Sequence, residues 1–269
     1  MTAAVSAPVA EARSTGDRPR VLSHSLTMTR RNLRQLARSP ELLVFLVIQP
    51  IMFVLLFVYV FGGSIDVPTA QYVDFLLPGI VVQTVAFATF STGLGLAEDL
   101  TEGIIDRFRA LPIARSAVLT GRILGDTVRI ALSVVVITLV GVLVGFRFGG
   151  GILAAVGAFA LAIAFGVAFS WVAAFIGLLV RTPEATNSAG FLWLFPLTFA
   201  SSAFVDPANM PGWLRGFAEV NPISLTADAM RALLLGGPAA GLVWQSLAWI
   251  AGIAAVFSAL AVRQYRRIS

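Results

Sequence analysis

Six apolar stretches of bilayer-spanning length dominate this 269-residue chain, and arginine is distributed one-sidedly among the segments that join them. A helix crossing the hydrocarbon core needs about 20 predominantly apolar residues, and the windows 42–62, 76–97, 123–146, 152–180, 189–205 and 242–262 have that character. The fifth is the shortest, and the fourth is long enough to tilt or to extend beyond the membrane. Inside a bilayer every backbone N–H and C=O must find a partner within the protein, so runs of this length resolve as helices. The fold class expected is an all-α polytopic membrane protein with six transmembrane helices.

Composition removes several chemistries. Only 12% of the residues are charged against 58% apolar, with a mean hydropathy of +0.88, whereas soluble domains are nearer half apolar and a quarter charged. All nineteen basic residues are arginine. A phosphate-binding P-loop needs a lysine to reach the terminal phosphates, so ATP hydrolysis is not expected of this chain, and lysine Schiff-base chemistry is excluded as well. With His24 as the one histidine and no cysteine, no metal site of histidine and cysteine ligands is expected, and no disulfide forms. The pI of 10.9 raises nucleic acid as a partner. Most of the arginines flank apolar spans, however, where anionic membrane lipids and insertion topology account for them. No nucleic-acid partner is expected.

Orientation follows from those arginines. The segment before span one holds Arg13, Arg18, Arg20, Arg30, Arg31, Arg34 and Arg38, while the 63–75 loop after it carries Asp66 and Asp74 and no arginine. Arg107, Arg109, Arg115 and Arg122 in loop two, Arg181 in loop four, and Arg263, Arg266 and Arg267 in the tail fall on the same side. Arg147, Arg215 and Arg231 fall on the other. The positive-inside rule then places both termini in the cytoplasm. The first apolar run begins at Leu42 and lacks a small-residue cleavage pattern, so it reads as a retained span and not as a signal peptide.

Residues 1–21, rich in Ala, Ser, Pro and charge, read as a disordered cytoplasmic tail, and 22–269 as a single domain. Between 22 and 39, Leu22, Leu26, Thr29, Leu33, Leu36 and Ala37 share one helical face, with Arg30, Arg31, Arg34 and Arg38 beside and opposite it. The pattern is that of a basic amphipathic helix lying in the interface. A solvated helix with a packing stripe is the alternative.

Loop two, 98–122, is the longest cytoplasmic connection, and Leu100, Ile104, Ile105, Phe108 and Leu111 are too apolar for a simple linker. Pro112 should stop the helix that they indicate. One reading is a short coupling helix that presents apolar anchors ringed by Glu102, Asp106, Arg107 and Arg109 to a groove on a partner. The other is packing against the chain's own N-terminal helix. A glycine such as Gly103 serves either a tight helical start, a close backbone approach or an ordinary loop.

Taken in order, HSLTMTRRNLRQL at 24–36, QPIMFVLLFVYVFGG at 49–63, YVDFLLPGIVVQT at 72–84, EGIIDRFRALPIAR at 102–115 and NPISLTADAMRALLLGG at 221–237 resemble the type-2 permeases of ABC transporters. Within that family the chain resembles the daunorubicin/doxorubicin-resistance-like drug exporters. The resemblance covers nearly the whole chain from Leu22. It implies an export path formed by two permeases, either a homodimer or a heterodimer with a paralogue, driven by two copies of a separate ABC ATPase subunit. ATP and magnesium would be bound by that ATPase, with no cofactor on this chain. By position, Glu102, Gly103, Asp106, Arg107, Phe108, Arg109, Leu111 and Pro112 match the family's ATPase-facing loop, and Asn221 and Pro222 the turn between outer re-entrant helices that cap the exit.

Polar groups in hydrocarbon cost free energy unless paired, so each one there is a candidate for function or helix contact. Gln49 precedes Pro50 in span one, Gln83 lies in span two, and Asp126 and Arg129, three apart in span three, can pair on one helical face. Gln83, Phe87, Phe90, Ser91 and Leu94 share a face of span two; Trp193, Phe195, Thr198, Phe199, Ser201 and Ser202 populate span five. Aromatics mixed with weakly polar groups suit a flat, amphipathic organic molecule, and the resemblance implies that these two spans line the path. The candidate substrate path is Gln49, Gln83, Phe87, Phe90, Trp193, Thr198, Phe199 and Ser201, with packing in the bundle core as the alternative for each. Gly141 with Gly145, and Ser91 with Gly95, carry the small-residue spacing of close helix packing. In the 206–241 connection, Trp213, Leu214 and Phe217, then Leu225, Met230 and Leu233, recur at helical spacing between prolines, which predicts short helices dipping into the outer leaflet.

Two other classes compete. Glu98, Asp99, Glu102 and Asp106 could hold a divalent metal in an interfacial enzyme, but Arg107 and Arg109 lie beside them and no serine with a membrane-placed histidine is available. An ion-driven secondary transporter would show inverted repeats and mid-membrane carboxylates, which the spans lack. The expected function is a permease moving hydrophobic or amphipathic drug-like or lipid-like molecules, with polysaccharide or glycolipid export as the main variant. The all-arginine, alanine-rich composition points to a high-GC bacterium and its plasma membrane.

Overall fold

In the computed structural model, residues 48–49, 51–61, 71–103 and 115–268 are described. The tail, the amphipathic helix expected at 22–39 and the heart of loop two, with Asp106, Arg107, Phe108, Arg109, Leu111 and Pro112, lie outside them. Among the described residues every regular element is helical. In chain order they are α1 (Ile51–Val60), which becomes π-helical over Leu56–Phe61, α2 (Tyr72–Ala88), α3 (Phe90–Thr101), α4 (Arg115–Val144), α5 (Gly151–Val180), α6 (Pro183–Phe199), α7 (Gly212–Val220), α8 (Pro222–Leu235) and α9 (Ala240–Ile268).

Four runs are long and apolar enough to cross a bilayer: Tyr72–Thr101, Leu119–Val144, Gly151–Val180 and Ala240–Ile268. They correspond to expected spans two, three, four and six. Helix α4 starts eight residues before the apolar window of span three, and α9 continues six residues beyond that of span six. The fifth window is displaced. Its helix starts at Pro183, which serves as the first helical residue after extended Thr182, and ends at Phe199. Residues 200–205 form a buried turn instead of a helical continuation.

Helix α5 is the centre of the bundle, packed against α9, α3, α8, α4 and α2. The core joins Leu76, Ile80 and Val85 of α2, Ile130 and Ile137 of α4, Phe165 and Phe169 of α5, Leu194 of α6 and Met230 of α8. A second cluster, Leu96, Leu119, Leu178, Ala261 and Tyr265, closes the end at which α3 stops and α4 begins. Helices α3 and α5 meet backbone to backbone. A Cβ on Gly93 would overlap the Ala173 carbonyl, and one on Gly177 would overlap the Gly93 carbonyl, the small-residue contact by which membrane helices close on each other. Of the Gly141 and Gly145 pair, Gly141 sits beneath Leu77 of α2, while Gly145 ends α4 at φ 124 and takes no part in that contact. On the outside Leu143, Ile152, Leu153, Leu192 and Trp244 are exposed, an apolar belt on long helices that suits contact with lipid.

Candidate transport cavity and the polar contacts around it

Gln83, Thr84, Phe87 and Ala88 of α2 and Phe90 of α3 form one wall of a cavity of about 340 Å³. Phe191, Phe195 and Phe199 of α6 face them, and Gln49 and Phe53 complete the lining. The rings are organised: Phe90 meets Phe87 edge-on at 5.7 Å and Phe191 at 5.3 Å, and Phe195 stacks on Phe199 at 4.3 Å. Gly190 leaves room for the Phe90 ring, which a Cβ there would strike. Among the described residues no charged side chain lines the space. It offers π faces and edges with two amides, the chemistry of a flat, weakly polar organic molecule.

Of the expected path residues, Gln49, Gln83, Phe87, Phe90 and Phe199 converge here. Trp193, Thr198 and Ser201 do not. Trp193 stacks on Phe169 of α5, Thr198 is buried, and Ser201 Oγ donates to the Thr198 carbonyl at 2.5 Å. Periodicity did signal the partners missed in α6 and α1, since Phe191 and Phe195 precede Phe199 at four-residue steps and Phe53 follows Gln49 by four.

Directly below the cavity the helix run Tyr72–Thr101 is interrupted at Thr89. Its N–H donates three residues back, to the Ala86 carbonyl (3.3 Å), and the Thr92 N–H does the same to the Thr89 carbonyl (3.0 Å). The Ala88 carbonyl accepts from Ser91 Oγ at 2.9 Å and from Arg129 Nη2 at 2.7 Å. Asp126 pairs with Arg129 across 3.5 Å, as the spacing predicts, and accepts from Thr92 Oγ1 at 2.5 Å. Further along, Arg122 lies over Gly95 and bonds Asp99 at 2.5 Å. Thus α4 makes three polar contacts in a row along the run, one to the last carbonyl of α2 and two to α3.

At the opposite end Asn221 holds two helices at once. Its side-chain oxygen accepts from the Ile223 N–H at 2.9 Å, capping α8, and its Nδ2 donates to the last carbonyls of α6, Leu197 at 2.7 Å and Ala200 at 3.0 Å. Pro222 starts α8. Asn221 and Pro222 therefore do form the turn between two short helices, α7 and α8. Arg231 of α8, read from sequence as a loop arginine, instead keeps only 11% of its side chain exposed. It donates to the carbonyls of Phe75 (3.0 Å) and Ser202 (3.2 Å), pairs with Asp228 and lies over the Phe75 ring at 3.8 Å. Asp228 also accepts from Ser202 Oγ at 2.8 Å, so the turn after α6, the start of α2 and α8 form one unit.

Residues 24–235 match the family model described as ABC-2 type transporter. The chain belongs to the ABC-2 type transporter family. Relatives include a daunorubicin resistance ABC transporter permease protein of Streptomyces coeruleorubidus, 38% identical over 98% of this chain and 95% of the relative. A probable doxorubicin resistance ABC transporter permease protein of Mycobacterium tuberculosis is 25% identical over 92% of this chain and 90% of its own length. A probable multidrug ABC transporter permease of Escherichia coli is 22% identical over 74% and 54%.

Membership in the ABC-2 type transporter family makes this a multi-pass membrane protein of the permease kind, whose members are not enzymes themselves. In this ABC-2 type transporter α3 gives way to loop two at Glu102, which is exposed, and the chain turns at Gly103. Gly103 has φ +67, a left-handed conformation that glycine adopts without strain and that turns the chain out of α3.

Proposed function

We propose that the chain is the membrane-spanning subunit of an ATP-driven exporter whose cargo is a hydrophobic or amphipathic aromatic molecule of the drug class. The uncharged, phenylalanine-lined cavity between α2, α3 and α6 carries this reading, and the relatives named for daunorubicin and doxorubicin resistance agree with it. Polysaccharide or glycolipid cargo finds little there to hydrogen-bond with.

In this reading α1 and α6 are spans one and five, the arginine-rich segments and both termini are cytoplasmic, and α7 and α8 form re-entrant helices capping the exit in the outer leaflet. Phe191, Phe195 and Phe199 remain 46%, 49% and 44% exposed. A second permease, a copy or a paralogue, would close that side of the cavity. Two ATPase subunits holding ATP and magnesium would grip Glu102–Pro112, and their closure would shift the pair from inward to outward access. The setting is the bacterial plasma membrane.

The decisive test is co-purification of the solubilised chain with an ATPase, followed by ATP hydrolysis with and without Asp106→Arg. Loss of stimulated hydrolysis in a variant that still inserts is the expected result, and Arg107→Glu should behave alike. Undiminished coupling in both would remove loop two as the contact. In the cavity, Gln83→Leu should change doxorubicin affinity about 2- to 10-fold, the worth of one hydrogen bond, and should leave basal hydrolysis less affected. A profile of transported compounds identical to wild type would take Gln83 out of the site.

A further inference from the structure

The interruption at Thr89 separates two unlike pieces of one membrane run. Above it, α2 is almost wholly buried, and a Cβ on Gly79 would overlap the Ala203 carbonyl of the turn after α6, so α2 is fixed to the outer unit. Below it, α3 leads directly to the loop at Glu102. It is bound laterally to α4 through Asp99–Arg122 and Thr92–Asp126. The two cavity residues Phe87 and Phe90 stand on opposite sides of the interruption. Their edge-on contact therefore depends on the angle at which α3 leaves α2.

A carbonyl released from the helical ladder inside a bilayer needs another donor. Ser91 supplies a local one. Arg129 supplies the one that comes from a different helix, and it is an expensive residue to keep in a membrane helix for packing alone. Both contacts, with Asp126 and with the Ala88 carbonyl, are made by its Nη2, which lies one bond farther from the backbone than a lysine ammonium can reach.

We propose that Arg129 is a positioning residue for the transport site: through the Ala88 carbonyl it holds the α2–α3 break in one geometry, and so sets the Phe87–Phe90 wall. Because α3 and the Arg122–Arg129 stretch of α4 are linked, a displacement delivered at the loop end of α3 arrives at this break and changes the cavity. The effect on ligands rests on the transport-cavity reading above; the effect on the break does not.

The chain has no cysteine, so spin labels can be placed at Gln71→Cys and Glu98→Cys, on either end of the run, without other changes. In the full chain in lipid nanodiscs their separation, about 40 Å for a helical run of this length, reports the break directly. Wild type should give one narrow distance. Arg129→Lys, which keeps a cation beside Asp126 and loses the Ala88 bond, should broaden or shift it, and Ser91→Ala should add to that effect in the double variant. A distribution unchanged in both would overturn the proposal, and Ser91→Ala alone decides if Arg129→Lys does not accumulate, broadening supporting a break held through the Ala88 carbonyl and no change opposing it.

The second readout is selectivity, which a purely structural residue would not move. Equilibrium binding of doxorubicin and of ethidium, fluorescent planar molecules of different outline, should change in ratio by about fivefold in Arg129→Lys, a change worth one intramembrane hydrogen bond. Equal weakening of both would oppose a positioning role. If wild-type chain binds neither dye, the cavity reading fails and with it the effect on ligands, while the label distances still decide the role of Arg129 at the break.

Discussion

Arg231→Met is expected to loosen the packing of α8 more than any other single polar change. The methionine would keep apolar contact with Phe75 but leave the carbonyls of Phe75 and Ser202 without their donor and Asp228 without its cation. Removing one partner of a buried pair costs about 3–5 kcal/mol. Since Asp228 keeps 32% exposure, the lower end of that range is expected. The loss should appear as a lower unfolding temperature of the detergent-solubilised chain and as faster proteolysis between α7 and α9. Arg231→Lys should recover only part, because an ammonium cannot reproduce a planar fork that reaches two carbonyls and a carboxylate. The exposed pair Arg215–Glu219, at 51% and 54%, is the internal contrast: Arg215→Ala should leave the unfolding temperature unchanged. Similar stability of Arg231→Met and wild type would show that α8 is held by apolar packing alone.

A comparable loss is expected from Gly177→Leu. The obstacle is backbone, not a side chain that can swing away, because even a Cβ at this position overlaps the Gly93 carbonyl. Helices α3 and α5 would have to separate, and with them the contacts that tie α3 to α4. Overpacking of a close interface costs about 1–3 kcal/mol for an added methylene or two, so alanine should already destabilise and leucine should prevent a monodisperse protein from being recovered. Gly157 lies in the same helix with nothing near its Cβ position, and Gly157→Ala should be neutral or stabilising by up to about 1 kcal/mol. Equal size-exclusion profiles for Gly157→Ala and Gly177→Leu would refute the backbone contact.

These two sites also show where reading from sequence stops. Arg231 counted there only as one of three arginines on the far side from the termini. Its partners lie at Phe75 and Ser202, far away in sequence, and no local pattern announces them. The pair Asp126–Arg129 was legible because a three-residue step places both on one helical face. Their bonds to Thr92 and to the Ala88 carbonyl were not, nor was the interruption at Thr89, which carries no proline or glycine. In the cavity, Gln83, Phe87 and Phe90 were identified together by periodicity. Trp193, Thr198 and Ser201 were placed on the same path by the family resemblance, with span five drawn as one helix to residue 205, but Trp193 and Thr198 turn to the core. The helix ends at Phe199 instead, with its last carbonyls taken by Asn221.

Apolar length and the distribution of arginine, both properties of the chain alone, determined that the protein is helical and embedded in a membrane. They also located four of its long apolar runs, and the motifs along the chain indicated its family. Tertiary structure decided which faces meet, where α3 departs from α2, and which of the few polar groups are bound to one another. The physical reason is that α2 and α5 are apolar on all sides, and a bilayer is as apolar as a protein interior. Hydrophobicity therefore selects the residues that leave water without selecting their neighbours. That choice falls to glycines that admit a backbone and to carbonyls that need a donor.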